Sequence, residues 1–291
     1  MCYMMLDGGF MAEIKGFHTL WTAPFFQNND RDTYDMQDYE LLTMILSALM
    51  WRKNNGPVTM YGDSRAIDFI GEKGIADIWD GGLKEIHVPG SVPPRVFWAA
   101  GKLYALRLVD MPSVMVDMDL IVWKNVSGYI DGADVCAIHR EGLYPDVYPD
   151  KSFFNMNDSY SFDSDWDWDE PAVNTCMLYI RDNEFKNYYV DKAVDFMENC
   201  LEKDENLCHM VFAEQRMLAL CARQKGIEVS SFFPEAADIE RQDMFTHIWG
   251  YKNILKFNYQ KRVEFNRKLC GRIEREFPEY AGLVAELDVA R

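Results

Sequence analysis

The chain reads as an α/β protein: a mostly parallel sheet with helices on its faces and a helical C-terminal segment. Three observations predict this. Short β-branched, apolar runs alternate with helical stretches through the first part of the chain. One run, 113–123 (SVMVDMDLIVW), is continuously hydrophobic until two carboxylates interrupt it, as at the carboxyl end of a buried parallel strand. The 291 residues are 48% hydrophobic, enough for one large core or a core with a small lobe.

Taken in order, 14–21 (IKGFHTLW) predicts a first strand with Thr19, Trp21 and Thr22 at its carboxyl end. A helix follows over 37–53, where Leu41, Leu42, Ile45, Leu46 and Leu49 form one stripe and Gly56-Pro57 is the stop. Residues 57–61 predict a strand, and 64–72 a helix capped by Asp63 or Ser64. A third strand over 83–88 runs into Pro89, Pro93 and Pro94, and a helix over 95–108 precedes the acidic strand. Beyond it come a strand over 133–139, a long loop over 140–171 and a strand over 172–180. Helices over 184–201 and 208–224, strands over 227–233 and 244–248, and helical segments from about 253 complete the chain. We divide it into 1–256 and a helical extension, 257–291. A loop as long as 140–171 inside a compact domain is usually functional or disordered. Its Tyr144, Tyr148, Phe153, Phe154, Tyr160, Trp166 and Trp168 are candidate stacking platforms for sugars, or pack the loop down.

The formal charge of −17 argues against nucleic acid as a partner, since Lys and Arg contacts to phosphate dominate such affinity. The same charge would repel any anionic substrate unless a bound cation reversed the sign locally. Seven scattered cysteines without a CxxC pair fit reduced thiols and a cytoplasmic protein. Residues 1–17 lack the basic start of a secretory signal, and the apolar run 41–51 is too short to span a bilayer. Residues 256–275 carry seven basic and two acidic side chains; a solvated helix face is the default reading, and contact with an anionic membrane surface or partner is the alternative.

Strand geometry would place Asp117 and Asp119, spaced i and i+2, on one face. Paired carboxylates repel unless a cation lies between them, and Mg²⁺ or Mn²⁺ prefers such hard oxygen ligands. The position, beyond the carboxyl end of a strand, is where open α/β sheets bind ligands. Asp163, Asp165, Asp167 and Asp169 repeat the spacing, but in a Ser/Asn/Asp/Trp tract that predicts a loop.

The segment Lys102-Leu103-Tyr104, followed by Asp117-Met118-Asp119-Leu120-Ile121-Val122-Trp123-Lys124-Asn125, resembles the core of the glycogenin-like family of retaining glycosyltransferases. Three further pieces stand in that family's order. Asn174-Thr175-Cys176 resembles its Asn-Ser-Gly strand start, Glu214-Gln215 its Asp-Gln helix start, and His247-Ile248-Trp249-Gly250-Tyr251-Lys252 its His-x-x-Gly-x-x-Lys segment. Cys176 replaces the glycine, Glu214 the aspartate, Lys252 comes one residue early and the following Pro-Trp is missing. The resemblance implies the GT-A (Rossmann-like) fold and a transferase that uses a nucleotide diphosphate-sugar, a UDP-sugar foremost, and a glycan acceptor. It implies Mn²⁺ or Mg²⁺ on Asp117, Asp119 and His247, with Lys252 and the backbone at Gly250 on the diphosphate. It places Lys102 near the donor, Thr19 and Thr22 at the nucleoside, and Glu214, Gln215 and Asn174 at the reacting centre. Two other classes stay open: a metal-dependent phosphoesterase, and a non-catalytic nucleotide- or glycan-binding relative. His18, His87, His139 and His209 lack zinc-like spacing and read as structural.

Overall fold

A computed structural model describes residues 13–204, 207–233, 238, 242–287 and 289–290. Most of the 1–17 stretch therefore lies outside the described residues. The elements are β1 (Gly16–Leu20), α1 (Ala23–Asn28), α2 (Asp38–Asn54), β2 (Val58–Gly62), α3 (Ser64–Glu72), β3 (Leu83–Glu85), α4 (Ala100–Leu108), β4 (Ser113–Val116) and β5 (Leu120–Val122). There follow α5 (Ser127–Ile130), β6 (Val135–Glu141), β7 (Ala172–Val173), β8 (Met177–Ile180), α6 (Asn183–Asn199), α7 (Leu207–Val211) and α8 (Met217–Gln224). The last are β9 (Val229–Phe233), β10 (Phe245–His247), α9 (Lys252–Phe257), α10 (Tyr259–Glu276) and α11 (Ala281–Glu286).

The main sheet has the order β3-β2-β1-β4-β8-β6-β7, with β9 also paired to β6. Strands β1 to β4 are mutually parallel, β8 runs against both β4 and β6, and β9 runs with β6. Only β7 and β8 therefore oppose the common direction, and the mostly parallel, helix-flanked sheet is as expected. Its two faces explain the unbroken apolar run of β4: Val114 and Val116 enter the core under α2 and α10, and Met115 enters the core under α4, α6 and α8. Two glycines allow close helix packing. At Gly16 a Cβ would collide with the Trp51 indole of α2, and at Gly101 it would lie 2.7 Å from the Cβ of Trp21. The second contact brings α4 down on the carboxyl end of β1.

Several boundaries differ from the expectation. The acidic strand is two strands: Asp117 to Leu120 form a turn closed by Leu120 N–H on the Asp117 carbonyl (3.0 Å), and β5 leaves the main sheet to pair with β10. The helix expected over 95–108 begins only at Ala100, because Pro93 accepts from Val96 and Phe97 in a turn first. The strand expected over 83–88 is only three residues long. The expected strand over 172–180 breaks at 174–176 into β7 and β8. The loop over 140–171 is packed down: Tyr148, Phe154 and Trp166 are buried, and Tyr160 and Trp168 rest on the same core, which leaves Tyr144 and Phe153 as its exposed rings among the seven. The C-terminal helix α10 packs on α2 and contributes Leu269, Cys270 and Ile273 to the core. The described cysteines are buried. No helix among the described residues is long and apolar enough to cross a membrane.

His18 of β1 ties the two sides of this core together. The Trp79 indole N–H donates to its Nδ1 (3.3 Å), and Ser47 Oγ, which donates to the Leu120 carbonyl (2.5 Å), is 3.2 Å from its Nε2. Indole can only donate, so Nδ1 accepts and Nε2 carries the hydrogen: the ring is neutral. Burial pushes the His18 pKa down to about 3. An unfolded chain takes up this proton near the ordinary histidine value and the folded one does not, so stability is full above about pH 6.5 and falls as pH drops toward 3. Urea titrations are expected to show about 2 kcal/mol lost from this group by about pH 5, and His18→Gln should flatten that slope.

Candidate metal site and cleft

Asp117 and Asp119 sit in the turn between β4 and β5, beyond the carboxyl ends of β1 and β4. Three backbone contacts hold it. Asp117 N–H donates to the Cys176 carbonyl (2.8 Å), Ile248 N–H donates to the Asp119 carbonyl (3.1 Å), and the β5–β10 register sets His247 opposite Leu120. The carboxylates of Asp117 and Asp119 and the imidazole of His247 thus present ligand atoms all within 4.8 Å of one another. Among the described residues no other three His, Cys, Asp or Glu side chains converge in this way. The repeated aspartates of the loop are spent locally: Asp163 faces Lys192 (3.3 Å), and Asp167 faces Arg223 (3.6 Å).

Two lysines flank the acids. Lys102 of α4 lies 2.5 Å from Asp117 Oδ1 and 2.9 Å from Glu214 Oε1. Lys252 of α9 lies 2.9 Å from Asp119 Oδ2 and 3.6 Å from Glu40. His247 Nε2 is 3.3 Å from Asp119 Oδ1. Despite these charges, Asp117 Oδ1 and His247 Nε2 are buried atoms without an aligned hydrogen bond. Buried polar atoms are ordinarily satisfied, and two oxygen ligands with one imidazole suit a hard or borderline divalent cation. The residues fit a metal ion.

Environment separates the two carboxyls. Burial, opposed by Lys102 and reinforced by Asp119 and Glu214, pushes Asp117 up to about 6. Burial also works against the charge of Asp119, but the nearby His247 imidazole and the Lys252 ammonium hold it well below the usual carboxylate range. Lys102 and Lys252, buried yet faced by these acids, are both held above the ordinary lysine value. Both ammonium groups therefore stay protonated across neutral pH.

Asp117 and Asp119 lie at the floor of a cleft of about 300 Å³, whose lining does not include His247. Thr19, Lys102, Asp117, Asp119 and Lys252, all singled out in the sequence, line it. Sequence reasoning missed Tyr34, Glu40, Trp98 and Trp249, which complete its walls. Of these only Trp249 carried a signal, next to the Gly250 segment; the rest reach the site through folding alone.

The remaining expected residues lie at one remove. Thr22 binds Asp63 through both its N–H (2.8 Å) and its hydroxyl (2.9 Å), so it fastens β1 to the cap of α3. Gly250 is exposed in a short turn before α9. Asn174 accepts from Cys176 N–H (3.1 Å) and donates to Glu141 (3.2 Å), organising the break behind Asp117. Glu214 and Gln215 occupy a single π turn, Phe212–Arg216, between α7 and α8. Such insertions often sit at functional sites. Here Tyr189 donates to the Glu214 carbonyl (2.7 Å), Thr175 to its carboxylate (2.8 Å), and Tyr148 to Gln215 Oε1 (2.6 Å). The structure joins Glu214 to the charge cluster through Lys102 and leaves Gln215 and Asn174 outside the cleft lining.

Fold and site together define an α/β protein in which two carboxylates and an imidazole that could hold a divalent cation meet at the carboxyl edge of the sheet. Residues 14–287 match a family of unknown function, DUF6734, and the chain belongs to that family. No curated protein matches it. Among solved structures the chain is similar to the PaToxG glycosyltransferase, at 13% identity over 93% of this chain and 87% of that one, with a TM-score of 0.38. It is similar to 4-diphosphocytidyl-2C-methyl-D-erythritol synthase from Anaerococcus prevotii DSM 20548, at 10% identity over 77% and 88% of the two chains, TM-score 0.40. The third is the glycosyltransferase GlyE of Streptococcus pneumoniae TIGR4, at 11% identity over 76% of this chain and 46% of that one, TM-score 0.36.

Proposed function

We propose that the protein is a metal-dependent glycosyltransferase that moves a hexosyl group from a nucleotide diphosphate-sugar, a UDP-sugar foremost, to a glycan acceptor. The observation that carries this reading is the convergence of His247 with Asp117 and Asp119, which line a cleft together with Lys102 and Lys252. Mn²⁺ or Mg²⁺ bound there supplies Lewis acidity and charge neutralisation to a diphosphate, and the imidazole in the ligand set favours Mn²⁺.

The chain's own groups supply the rest. Asp119, kept ionised by His247 and Lys252, is the permanent anion of the ligand set. Lys252 offers positive charge to the leaving diphosphate from α9. Lys102 is pinned by Glu214 on one side and Asp117 on the other, so its ammonium is positioned before any ligand enters. Tyr34, Trp98 and Trp249 give the cleft apolar walls suited to a nucleobase or a sugar face. Retention of configuration, as the resemblance implies, assigns the reacting centre to Glu214, Gln215 and Asn174, of which Glu214 is tied directly to the charged cluster.

The test is a thermal-shift panel of nucleoside diphosphates and their sugars with and without Mn²⁺. Uridine diphosphate is expected to stabilise the protein only with the metal, by about 2.7 kcal/mol at a hundredfold excess over Kd. Equal stabilisation in excess chelator, or by simple phosphate esters alone, would overturn the reading. Release of sugar from the matching donor then separates a transferase from a binding module.

A further inference from the structure

Large apolar side chains are not spread evenly over the surface. Among the described residues twelve are exposed, and five of them, Trp249, Tyr251, Ile254, Phe257 and Tyr259, fall within one eleven-residue stretch. Phe257 is 80% exposed, Trp249 71% and Tyr259 68%. The stretch is not loose: Ile248 and Leu255 turn inward onto Tyr39, and the Tyr251 ring meets Phe265 edge-on at 5.9 Å. A rigid segment therefore holds its aromatics outward. Contiguous exposed apolar surface of this kind marks a contact site.

The charge around it runs against the rest of the molecule. The protein carries −17, whereas 256–275 has seven basic and two acidic residues. Lys256, Lys261 and Arg267 are exposed and make no ion pair among the described residues. The Lys256 ammonium lies 5.6 Å from the Phe257 ring centroid, so cation and aromatic are presented side by side. Aromatic rings mixed with unpaired lysines match the interface of an anionic bilayer. There the rings enter the headgroup layer and the cations meet lipid phosphate. A protein partner would favour a buried apolar centre with charge excluded from it.

We infer that the face formed by α9 and the start of α10 docks on an anionic membrane surface. Trp249 belongs both to this face and to the wall of the cleft, so docking sets the mouth of the cleft beside the bilayer. The net negative charge elsewhere repels the same surface and orients the molecule on it.

The experiment is co-sedimentation of the full chain with vesicles of phosphatidylcholine mixed with phosphatidylglycerol, against phosphatidylcholine alone, without metal or nucleotide. Its outcome is thereby independent of the transferase reading. Binding is expected on the mixed vesicles only, falling as salt rises. The charge-reversed pair Lys256→Glu and Lys261→Glu should weaken it about tenfold or more, and Phe257→Ala with Tyr259→Ala by a similar factor. These four side chains are exposed, so circular dichroism and the metal-linked thermal shift should be unchanged. Failure to sediment, equal binding to neutral vesicles, or full binding by both double variants would overturn the inference. So would a dimer in light scattering that Phe257→Ala with Tyr259→Ala dissolves, since the face would then belong to a second copy.

Discussion

Asp119→Ala is expected to abolish both the metal-linked thermal shift and turnover, with a loss of about 10³-fold or more in rate. That factor is the several kcal/mol of charge stabilisation a divalent cation supplies at a diphosphate. Asp119 is the stronger of the two carboxyl ligands, because His247 and Lys252 keep it ionised where Asp117 is pushed toward neutrality. The fold should survive. The backbone carbonyl of residue 119 still receives the Ile248 N–H, and Lys252 keeps Glu40 as a partner. A stability loss on the order of 1–3 kcal/mol is expected from the broken hydrogen-bonded charges. Chemical denaturation measures the stability loss, and calorimetric titration of Mn²⁺ measures the ligand loss. Undiminished Mn²⁺ affinity in the variant would remove the site.

The second large effect falls on stability. Lys102→Met removes the cation shared by Asp117 and Glu214 and leaves two buried carboxyls facing each other. Breaking a buried pair by deleting one partner costs about 3–5 kcal/mol. Part of that cost is relieved when Asp117 takes a proton, so the variant should lose more at neutral than at mildly acid pH. Glu214→Gln in the same background should recover part of the loss, since the neutral amide no longer repels Asp117 and keeps Thr175 as a donor. Mn²⁺ should raise the melting temperature of Lys102→Met more than that of the parent, because the metal takes over the neutralisation. A Lys102→Met protein as stable as the parent would mean the lysine is a bystander.

How much of this was legible beforehand differs from element to element. The α/β alternation was readable because buried strands and amphipathic helices write different periods. The acidic pair was readable because charge at the end of an apolar run is costly without a reason. The turn between Asp117 and Leu120 was not, since apolar residues continue on both sides and no Gly or Pro marks it. What bends the chain there is the pairing of β5 with β10, more than a hundred residues later in the sequence. Glu40 and Trp98 carry no local sign of belonging to a cleft; α2 and the segment before α4 bring them there. The loop aromatics show the reverse limit. A tract of Tyr, Trp and Asp reads as a sugar platform, yet Phe154, Trp166 and Trp168 are needed to seal the core around Phe196 and Phe212.

The small β5–β10 ribbon has a consequence for biosynthesis. Both aspartates emerge from a ribosome long before the imidazole at 247, and the ribbon that aligns the three cannot zip until the C-terminal third has been made. Assembly of the three side chains is therefore a late event, and a prematurely terminated product ending before that histidine would lack one of them however well its central sheet had formed.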